Sequence, residues 1–479
     1  MANNQSKALD PNAKLGWGER IGYGVGATGW NMINGIIGTF LTVYFTNVAL
    51  LDAGIIATLI AISKVFDGIS DLVVGNIVDR THAKMGKART WLFRMVIPMA
   101  VATVLLFWVP SSWPSTAKYV YVFIMYNLVN AVCLTFMQVP YYSLISLMSK
   151  DGQERGMLGN IQQIFQTLGN IIINSAFVTL LAKFSSDAAN QNTQAGYTGA
   201  IVCVVVVMVV LVMITVFSTR ERVTEDDEEK KEVSHDEVKP MVALKSLLTN
   251  KYWVIMFFAM LVVFFVIIFY SIGGVYYALY IFRDMNEVSW MNNAISIAQF
   301  AIMFATPFFM KKFGKRWIYT AGMLTMTVGF LGFGLFGTSK ILMIICNVLK
   351  GCGLGMAGGM AMGLVADAIT YGQLRDGVNA VGMGNAGTSA AQKLGLGLGT
   401  AVFGWIMSAA GFDGSLDLQG IAQPDTVVTA IKFMYNWVPM IMCAVITFVM
   451  ATSFHLDRDL AKLRAEKGIE ENAEESTEE

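Results

Sequence analysis

The sequence predicts an all-α polytopic membrane protein with twelve transmembrane helices in two six-helix bundles. Three observations lead to this fold class. The chain of 479 residues is 55% hydrophobic and only 14% charged, whereas a soluble protein needs more charge to cover its surface. Twelve mostly apolar stretches reach the roughly 20 residues that a spanning helix needs. Lys and Arg are concentrated in alternate connections between these stretches.

The predicted spans follow one another along the whole chain. They cover residues 22–48, 53–78, 91–110, 118–147, 157–183, 199–218, 252–282, 289–310, 316–336, 340–370, 380–410 and 429–453. Several are longer than the minimum, which predicts tilted helices or helices that extend into the cytoplasm.

Basic residues in the connections predict the orientation. The second connection carries Arg80, Lys84, Lys87 and Arg89, whereas each odd-numbered connection carries at most one Lys or Arg. Even-numbered connections and both termini are therefore predicted to be cytoplasmic. The polar first 20 residues show no cleavable signal peptide, so we expect the N-terminus to stay on the side of synthesis.

A charged linker, "TRERVTEDDEEKKEVSHDEVKP", divides the chain into two halves. We predict an N-terminal bundle at 1–218, a cytoplasmic linker at 219–251, a C-terminal bundle at 252–453 and an acidic cytoplasmic tail at 454–479. The halves share a short repeat, since "MGKARTW" follows the second span and "FGKRW" follows the eighth. Repeated halves around a central site are a known transporter architecture.

Three charged residues lie within one span, in the stretch "AISKVFDGISDLVVGNIVDR". A charge at the centre of a spanning helix costs about 2.5–3.5 kcal/mol. Lys64, Asp67 and Asp71 are three and four residues apart, so they share a helix face. Two neighbouring carboxylates favour a cation between them, which could be Lys64, a distant lysine, a proton or a metal ion. The alternative is an ion-pair network that only holds helices together.

Lys393 is the natural distant partner, because it lies in the middle of the eleventh span in "AAQKLGLGLG". A lysine that pairs with Asp67 or Asp71 when the cation is absent keeps the site balanced in charge. The alternative is a lysine that extends to the membrane surface.

Amides and aromatic rings are concentrated in the first, fourth and fifth spans, for example in "GWNMIN", "VPYYSL" and "NIQQIFQ". Amides bond hydroxyl groups, and a ring covers the C–H face of a pyranose, so this combination suits a sugar. The alternative is hydrogen bonding between helices. The G-x-G-x-x-G motif at Gly24, Gly26 and Gly29 follows no strand, which favours a small-residue packing face over a dinucleotide site.

Other function classes lack the residues they need. The histidines His82, His235 and His455 lie in loops or the tail, and no catalytic or metal-binding motif is present, so we expect neither an enzyme nor a cofactor. The five cysteines are scattered in apolar segments and read as buried hydrophobes. Basic and acidic residues number 34 each, which predicts no nucleic-acid partner.

Two segments resemble one transporter family. "KVFDGISDLVVGNIVDRTHAKMGKARTW" resembles the second helix and following loop of the glycoside–pentoside–hexuronide:cation symporters, the melibiose permease-like proteins. "ADAITYGQLRDGVNAVG" and "AAQKLG" are similar to the tenth-to-eleventh-helix region of the same family. The resemblance extends from Gly22 to about Ala451, and it implies the major facilitator fold.

The resemblance also implies a cation site. Two second-helix carboxylates that bind the coupling cation match Asp67 and Asp71, and a neighbouring polar residue matches Ser70. A fourth-helix threonine matches Thr135, and the charge-balancing eleventh-helix lysine matches Lys393. The set is rich in oxygen, so Na⁺ is chemically possible, with H⁺ as the alternative.

The charged groups differ more from the family pattern. Lys64 stands where the family usually has arginine, and it lacks the bidentate geometry of a guanidinium. The positions of the family's acidic sugar ligands hold Asn31 and Gln138, and that of its fifth-helix arginine holds Gln163. Tyr142 stands at the position of the family's fourth-helix tryptophan, and Trp30 stands at the position of a family lysine. We therefore expect a glycoside other than a melibiose-like galactoside, either larger or itself charged.

The predicted function is import of a glycoside or oligosaccharide, coupled to Na⁺ or H⁺, by alternating access. Further predicted substrate ligands are Thr388 and Ser389, and predicted gating residues at the cytoplasmic edge are Asp79, Arg80, Arg155 and Asp367. We expect a monomer in the lipid bilayer of a bacterial inner membrane, with a small sugar or glycoside as its partner. The alternatives are a facilitator or exporter of another solute, such as a drug or organic anion, and a membrane sensor or enzyme.

Overall fold

The computed structural model describes residues 14–81, 83, 85–149, 151–185, 193–222, 240–336, 339–378, 380–419 and 421–467. Within these residues every regular element is a helix. The chain is therefore an all-helical membrane protein, as predicted, and its long helices follow the predicted spans.

The helices before the linker are α1 to α6. Their bounds are Trp17–Val43 for α1, Ala53–Asp79 for α2, Lys87–Leu106 for α3, Ser115–Asn127 for the start of α4, Gly152–Phe184 for α5 and Gln194–Ser218 for α6. A π-helical turn, Tyr44–Val48, extends α1. A second π-helical segment, Leu128–Leu134, continues α4 into Thr135–Met148.

The helices after the linker are α7 to α12. Helix α7 is Lys251–Tyr277 with the π-helical turn Ala278–Phe282, α10 is Lys340–Asp376 and α11 is Val381–Ala409. Glu287–Leu335 contains a break at Gly314 (φ 76°, ψ 159°), which separates α8 from α9. Helix α12 comprises Asp425–Lys432, Phe433–Trp437 and Val438–Thr452, and short helices cover Pro240–Thr249, Ser415–Leu418 and Leu456–Glu466.

Eight helical segments of the described chain are long and apolar enough to cross a membrane, and they contain α3 to α7, α9, α10 and α12. Charged residues lie in α2, amides in α8, and several glycines together with Lys393 in α11. Polar groups at membrane depth are functional candidates, so these helices are where a site is expected.

The chain divides into two compact units. Unit 1 comprises residues 1–235, 268–296 and 397–435, and unit 2 comprises 236–267, 297–396 and 436–479. Helices α7, α8, α11 and α12 each contribute residues to both units. The predicted division into bundles at 1–218 and 252–453 stays a prediction.

Glycines bring helices together in unit 1, where α1 packs along α5 and α6. A Cβ at Gly26 would lie 2.3 Å from Thr215 Oγ1, and one at Gly22 would lie 1.9 Å from Ser218 Oγ. Thr215 Oγ1 also donates a hydrogen bond to the Gly22 carbonyl over 2.6 Å. The glycine motif of α1 is thus a packing face, as predicted.

The repeated basic motif occupies matching settings in the two halves. In the first half, Gly86 precedes α3 in a left-handed conformation (φ 100°). The Arg89 guanidinium then donates to the Val216 carbonyl at the end of α6, with 2.8 Å from Nε and 2.5 Å from the terminal nitrogen.

In the second half, Gly314 precedes α9 with φ 76°. The Arg316 guanidinium donates to the carbonyls of Met450 (3.1 Å) and Ala451 (2.6 Å) near the end of α12. An arginine at the start of the third helix of each half therefore caps the end of the sixth. This correspondence supports an internal repeat.

Candidate cation and substrate sites

The predicted cation site is built around a buried ion pair on α2. Lys64 Nζ donates to Asp67 Oδ2 over 2.8 Å, and the two side chains are only 17% and 10% exposed. A spacing of three residues places both groups on one helix face. The Tyr126 ring of α4 lies 5.7 Å from Lys64 Nζ, which adds a cation–π contact.

Hydroxyl groups adjoin this pair. Ser70 Oγ donates to the Asp67 carbonyl over 2.9 Å and lies 3.4 Å from Thr135 Oγ1 on α4. Thr135 follows the π-helical segment of α4, and its hydroxyl donates to the Asn130 carbonyl five residues earlier over 3.2 Å. π-Helical turns are frequent at functional sites. The structure therefore brings Lys64, Asp67, Ser70 and Thr135 together.

Asp71 lies one turn after Asp67 on α2, where it is half-buried. In the described residues, no group of three or more His, Cys, Asp or Glu side chains could hold a metal ion. A metal at this place would need hydroxyl or carbonyl oxygens beside the carboxylates. That donor set suits a hard cation rather than a transition metal.

Lys393 is half-buried on α11 and belongs to unit 2, whereas Asp67 and Asp71 belong to unit 1. Its pairing with either carboxylate stays a prediction. Thr388, which is buried and donates to the Gly384 carbonyl over 3.0 Å, also lies in unit 2. The neighbouring Ser389 is exposed.

An aromatic cluster in unit 1 contains two predicted sugar ligands, Trp30 and Tyr142. The buried Trp30 ring on α1 meets the rings of Tyr141 and Tyr142 on α4 edge to face, at centroid distances of 6.1 and 6.0 Å. Tyr142 is 44% exposed, so part of its ring is open to contact.

The predicted amide ligands occupy three different environments. Asn31 is buried, and its Nδ2 donates to the Gln166 carbonyl of α5 over 2.7 Å. Gln138 is half-buried on α4, and Gln163 is exposed on α5. Asn31 therefore forms a hydrogen bond between α1 and α5, which agrees with the alternative that these amides hold helices together.

The model of a family described as MFS/sugar transport protein matches residues 22–458. The chain belongs to this family. The predicted resemblance to the glycoside–pentoside–hexuronide:cation symporters is confirmed, and the family and its relatives are transporters rather than enzymes.

Two relatives and one solved structure illustrate the similarity. The isoprimeverose transporter of Lactiplantibacillus pentosus is 28% identical over 89% of this chain and 86% of its own length. The putative glycoside/cation symporter YagG of Escherichia coli (strain K12) is 26% identical over 94% and 96%. The crystal structure of a D-xylose-proton symporter has a TM-score of 0.66 at 14% identity, covering 91% of this chain and 97% of that one, which shows the major facilitator fold alone.

In this transporter, the predicted gating residues are divided between the two units. Arg80 is exposed, and the Asp79 side chain lies outside the described residues. Arg155 donates to the Ser149 carbonyl over 2.7 Å within unit 1. Asp367 pairs with Lys315 over 2.8 Å within unit 2. Their role in gating stays a prediction.

The sequence did not predict the contacts of two acidic side chains, Glu154, which pairs with the start of α1, and Glu221 in the linker. Arg20 of α1 forms a buried bidentate pair with Glu154 of α5, with a shortest distance of 2.6 Å. Glu221 accepts from the backbone N–H groups of Lys87 (2.8 Å) and Arg89 (2.9 Å) at the start of α3. Burial raises the pKa of the Glu221 carboxyl above its ordinary value, although these hydrogen bonds act to lower it.

Other features of the core were also missed. Tyr23 and Tyr141 stack at 4.6 Å, and the Tyr23 hydroxyl donates to Gln162 Oε1 over 2.8 Å. In unit 2, the 1% exposed Lys350 of α10 has its ammonium 4.5 and 4.1 Å from the rings of Phe330 and Phe333. The sequence signal for this buried lysine is a single charge inside the apolar run "IICNVLKGCGLG".

Proposed function

We propose that this chain is a cation-coupled symporter that imports a glycoside or oligosaccharide by alternating access. The observation that carries this proposal is the Lys64–Asp67 pair beside Ser70 and Thr135, buried in helices that hold few other charges. Intramembrane ionisable groups of this kind mark ion pathways. The relatives named as an isoprimeverose transporter and a putative glycoside/cation symporter support the same function.

The coupling cation is Na⁺ or H⁺ in this proposal. Asp67 and Asp71 supply carboxylate oxygens, and Ser70 and Thr135 supply hydroxyl oxygens. Because Lys64 already neutralises Asp67, the arriving cation takes over part of that role. With the carboxylates neutralised by the cation, their attraction to Lys64 and to Lys393 weakens. This change of partner couples cation binding to movement of the helices.

The substrate contacts the aromatic cluster in this proposal. Among the described residues, the buried indole Nε1 of Trp30 has no hydrogen-bond partner, so it can donate to a sugar hydroxyl. A buried donor gains from such a bond, since leaving it unpaired costs about 1–3 kcal/mol. The Tyr142 ring offers an apolar face, and Gln138 and Gln163 offer amides. Thr388 and Ser389 supply further hydroxyl groups.

The membrane potential supplies part of the driving force. One net charge that crosses with the substrate contributes about 2.3 kcal/mol per 100 mV. That energy supports a concentration ratio of about fiftyfold. In this proposal the basic connections and both termini are cytoplasmic. The membrane potential, which is negative inside the cell, then favours import of a cation together with a neutral sugar.

The decisive variants are Asp67→Asn and Asp71→Asn, reconstituted in proteoliposomes with a panel of labelled glycosides. Both variants should lose uphill accumulation, while exchange of substrate across the membrane partly survives. Asp52→Asn is the matched control, because Asp52 caps the start of the same helix through the Ile55 N–H (2.9 Å). Concentrative uptake in both variants would refute the cation site, and equilibration without accumulation by the native chain would indicate a facilitator.

A further inference from the structure

A hydrogen-bonded cluster joins three segments of unit 1 that are far apart in sequence. Asn47 Nδ2 donates to the Tyr280 hydroxyl over 2.5 Å and to Asp417 Oδ2 over 2.9 Å. The Tyr280 hydroxyl itself donates to the same Asp417 oxygen over 2.5 Å. One carboxylate oxygen therefore accepts from the ends of α1 and α7, and hydrogen bonds to a charged acceptor are the stronger kind.

A second contact lies directly beside this cluster. The hydroxyls of Thr46 and Tyr276 are 2.7 Å apart, and both side chains are buried. The loop that carries Asp417 also packs closely on this point, because a Cβ at Gly414 would lie 2.1 Å from the Thr46 carbonyl oxygen. The end of α1 is thus in direct contact with α7 and with the loop between α11 and α12.

The backbone at the two helix ends has the same unusual form. The π-helical turns Tyr44–Val48 and Ala278–Phe282 carry the cluster residues of α1 and α7. Each turn is followed by a non-glycine residue in the left-handed region, Leu50 and Arg283, both with φ 56°. Such conformations are uncommon and concentrate at functional sites. Their recurrence at equivalent places in the two halves indicates a built feature.

The contact continues from the cluster towards the membrane interior. Thr39 lies eight residues before Asn47, about 12 Å deeper along α1, and its hydroxyl is 2.8 Å from Ser271 Oγ of α7. Helix α11 also packs on α2, since a Cβ at Gly404 would lie 2.3 Å from the Ala57 Cβ. These segments are on the side opposite the basic connections, which is the predicted outer side.

We propose that Asn47, Tyr280 and Asp417 form an outer latch, which must open before a substrate can enter from outside. The strength of the latch sets the fraction of molecules that are open to the exterior. This inference rests on the proposed transport function for its biological meaning. The accessibility change that it predicts needs no substrate or coupling ion, so the two can fail separately.

The test measures how fast an impermeant, charged thiol reagent labels Thr39→Cys from outside. The background is the full chain with its five cysteines replaced, namely Cys133, Cys203, Cys346, Cys352 and Cys443. Thr39 is 5% exposed, so labelling should be slow while the latch is closed. Adding Asp417→Ala should raise the rate about tenfold, because it removes hydrogen bonds to a charged acceptor.

The matched control is Asp413→Asn, in the same loop. Asp413 Oδ1 accepts from the Ser415 N–H over 2.8 Å within the loop itself, so the labelling rate should stay within about twofold of the background, as for an independent site. Tyr280→Phe is a second latch variant that removes a single hydroxyl and preserves the ring. It should raise the rate by about threefold or more, the smaller effect of one neutral donor.

The outcomes separate the latch from the transport proposal. Faster labelling in both latch variants and not in the control supports the latch, whatever the substrate proves to be. An unchanged rate in Tyr280→Phe overturns the latch, even where Asp417→Ala misfolds. Equal acceleration by Asp413→Asn also overturns it, because the effect would then come from a loosened loop. Loss of accumulation in the α2 carboxylate variants is measured separately and tests only the symport.

Discussion

The Lys64–Asp67 ion pair makes a stability prediction that is distinct from transport. The two side chains are 17% and 10% exposed and 2.8 Å apart, so solvent screens them little. Asp67→Asn alone leaves the Lys64 charge without this carboxylate, and breaking a buried pair in this way costs about 3–5 kcal/mol. The double variant Lys64→Met/Asp67→Asn removes both charges and should recover most of that loss, although it still cannot couple transport to a cation.

Thermal unfolding of the purified protein in detergent measures the effect. A loss of about 3 kcal/mol corresponds to a fall in melting temperature of about 3 °C for a chain of this length. Lys118→Met is the matched control. Lys118 is also buried, and its ammonium donates to the Ala49 carbonyl over 3.2 Å. Its effect should therefore add to that of Asp67→Asn. If the double variant Lys64→Met/Asp67→Asn melts no higher than Asp67→Asn alone, the reasoning is refuted.

Three further variants test other parts of the structure. Trp30→Phe removes the indole donor and should weaken glycoside binding about 5- to 30-fold, as for one buried hydrogen bond, with cation affinity unchanged in equilibrium binding. Gly404→Val adds volume 2.3 Å from the Ala57 Cβ and should lower the free energy of unfolding by about 1–3 kcal/mol, with partial rescue by Ala57→Gly. A lysine at position 316 cannot reach both the Met450 and Ala451 carbonyls as the arginine does. The Arg316→Lys variant should therefore have a lower melting temperature, and an unchanged melting temperature would contradict the capping role of Arg316.

The fold was largely predictable because hydropathy and basic residues are local signals. Apolar stretches of sufficient length predicted the helices, and the motifs "MGKARTW" and "FGKRW" indicated a repeat between the two halves. Sequence could not predict the π-helical segments, because they depend on how each helix packs against its neighbours. It also could not divide the chain into the units that the structure shows, since helices such as α7 and α11 contribute to both.

The candidate site was predictable in part. The spacing of Lys64, Asp67 and Asp71 indicated one helix face, and the family resemblance added Ser70 and Thr135. The structure adds that Lys64 is itself a direct partner of Asp67, which the sequence left open among several cations.

Partners distant in sequence were not predictable. Asn47 and Asp417 are separated by 370 residues and share one hydrogen bond. No periodicity relates two such positions, and each alone resembles an ordinary polar residue at a helix end or in a loop. The same holds for the Tyr23 hydroxyl and its hydrogen-bond partner Gln162.

The central claim is that a cation gradient drives glycoside accumulation through Asp67 and Asp71. The most direct measurement is initial uptake of a labelled glycoside into proteoliposomes, with an inward Na⁺ or H⁺ gradient and an inside-negative potential imposed. The account predicts transient accumulation above equilibrium in the native protein and only equilibration in Asp67→Asn and Asp71→Asn. Accumulation that is independent of both gradients, or that survives in both variants, would contradict it.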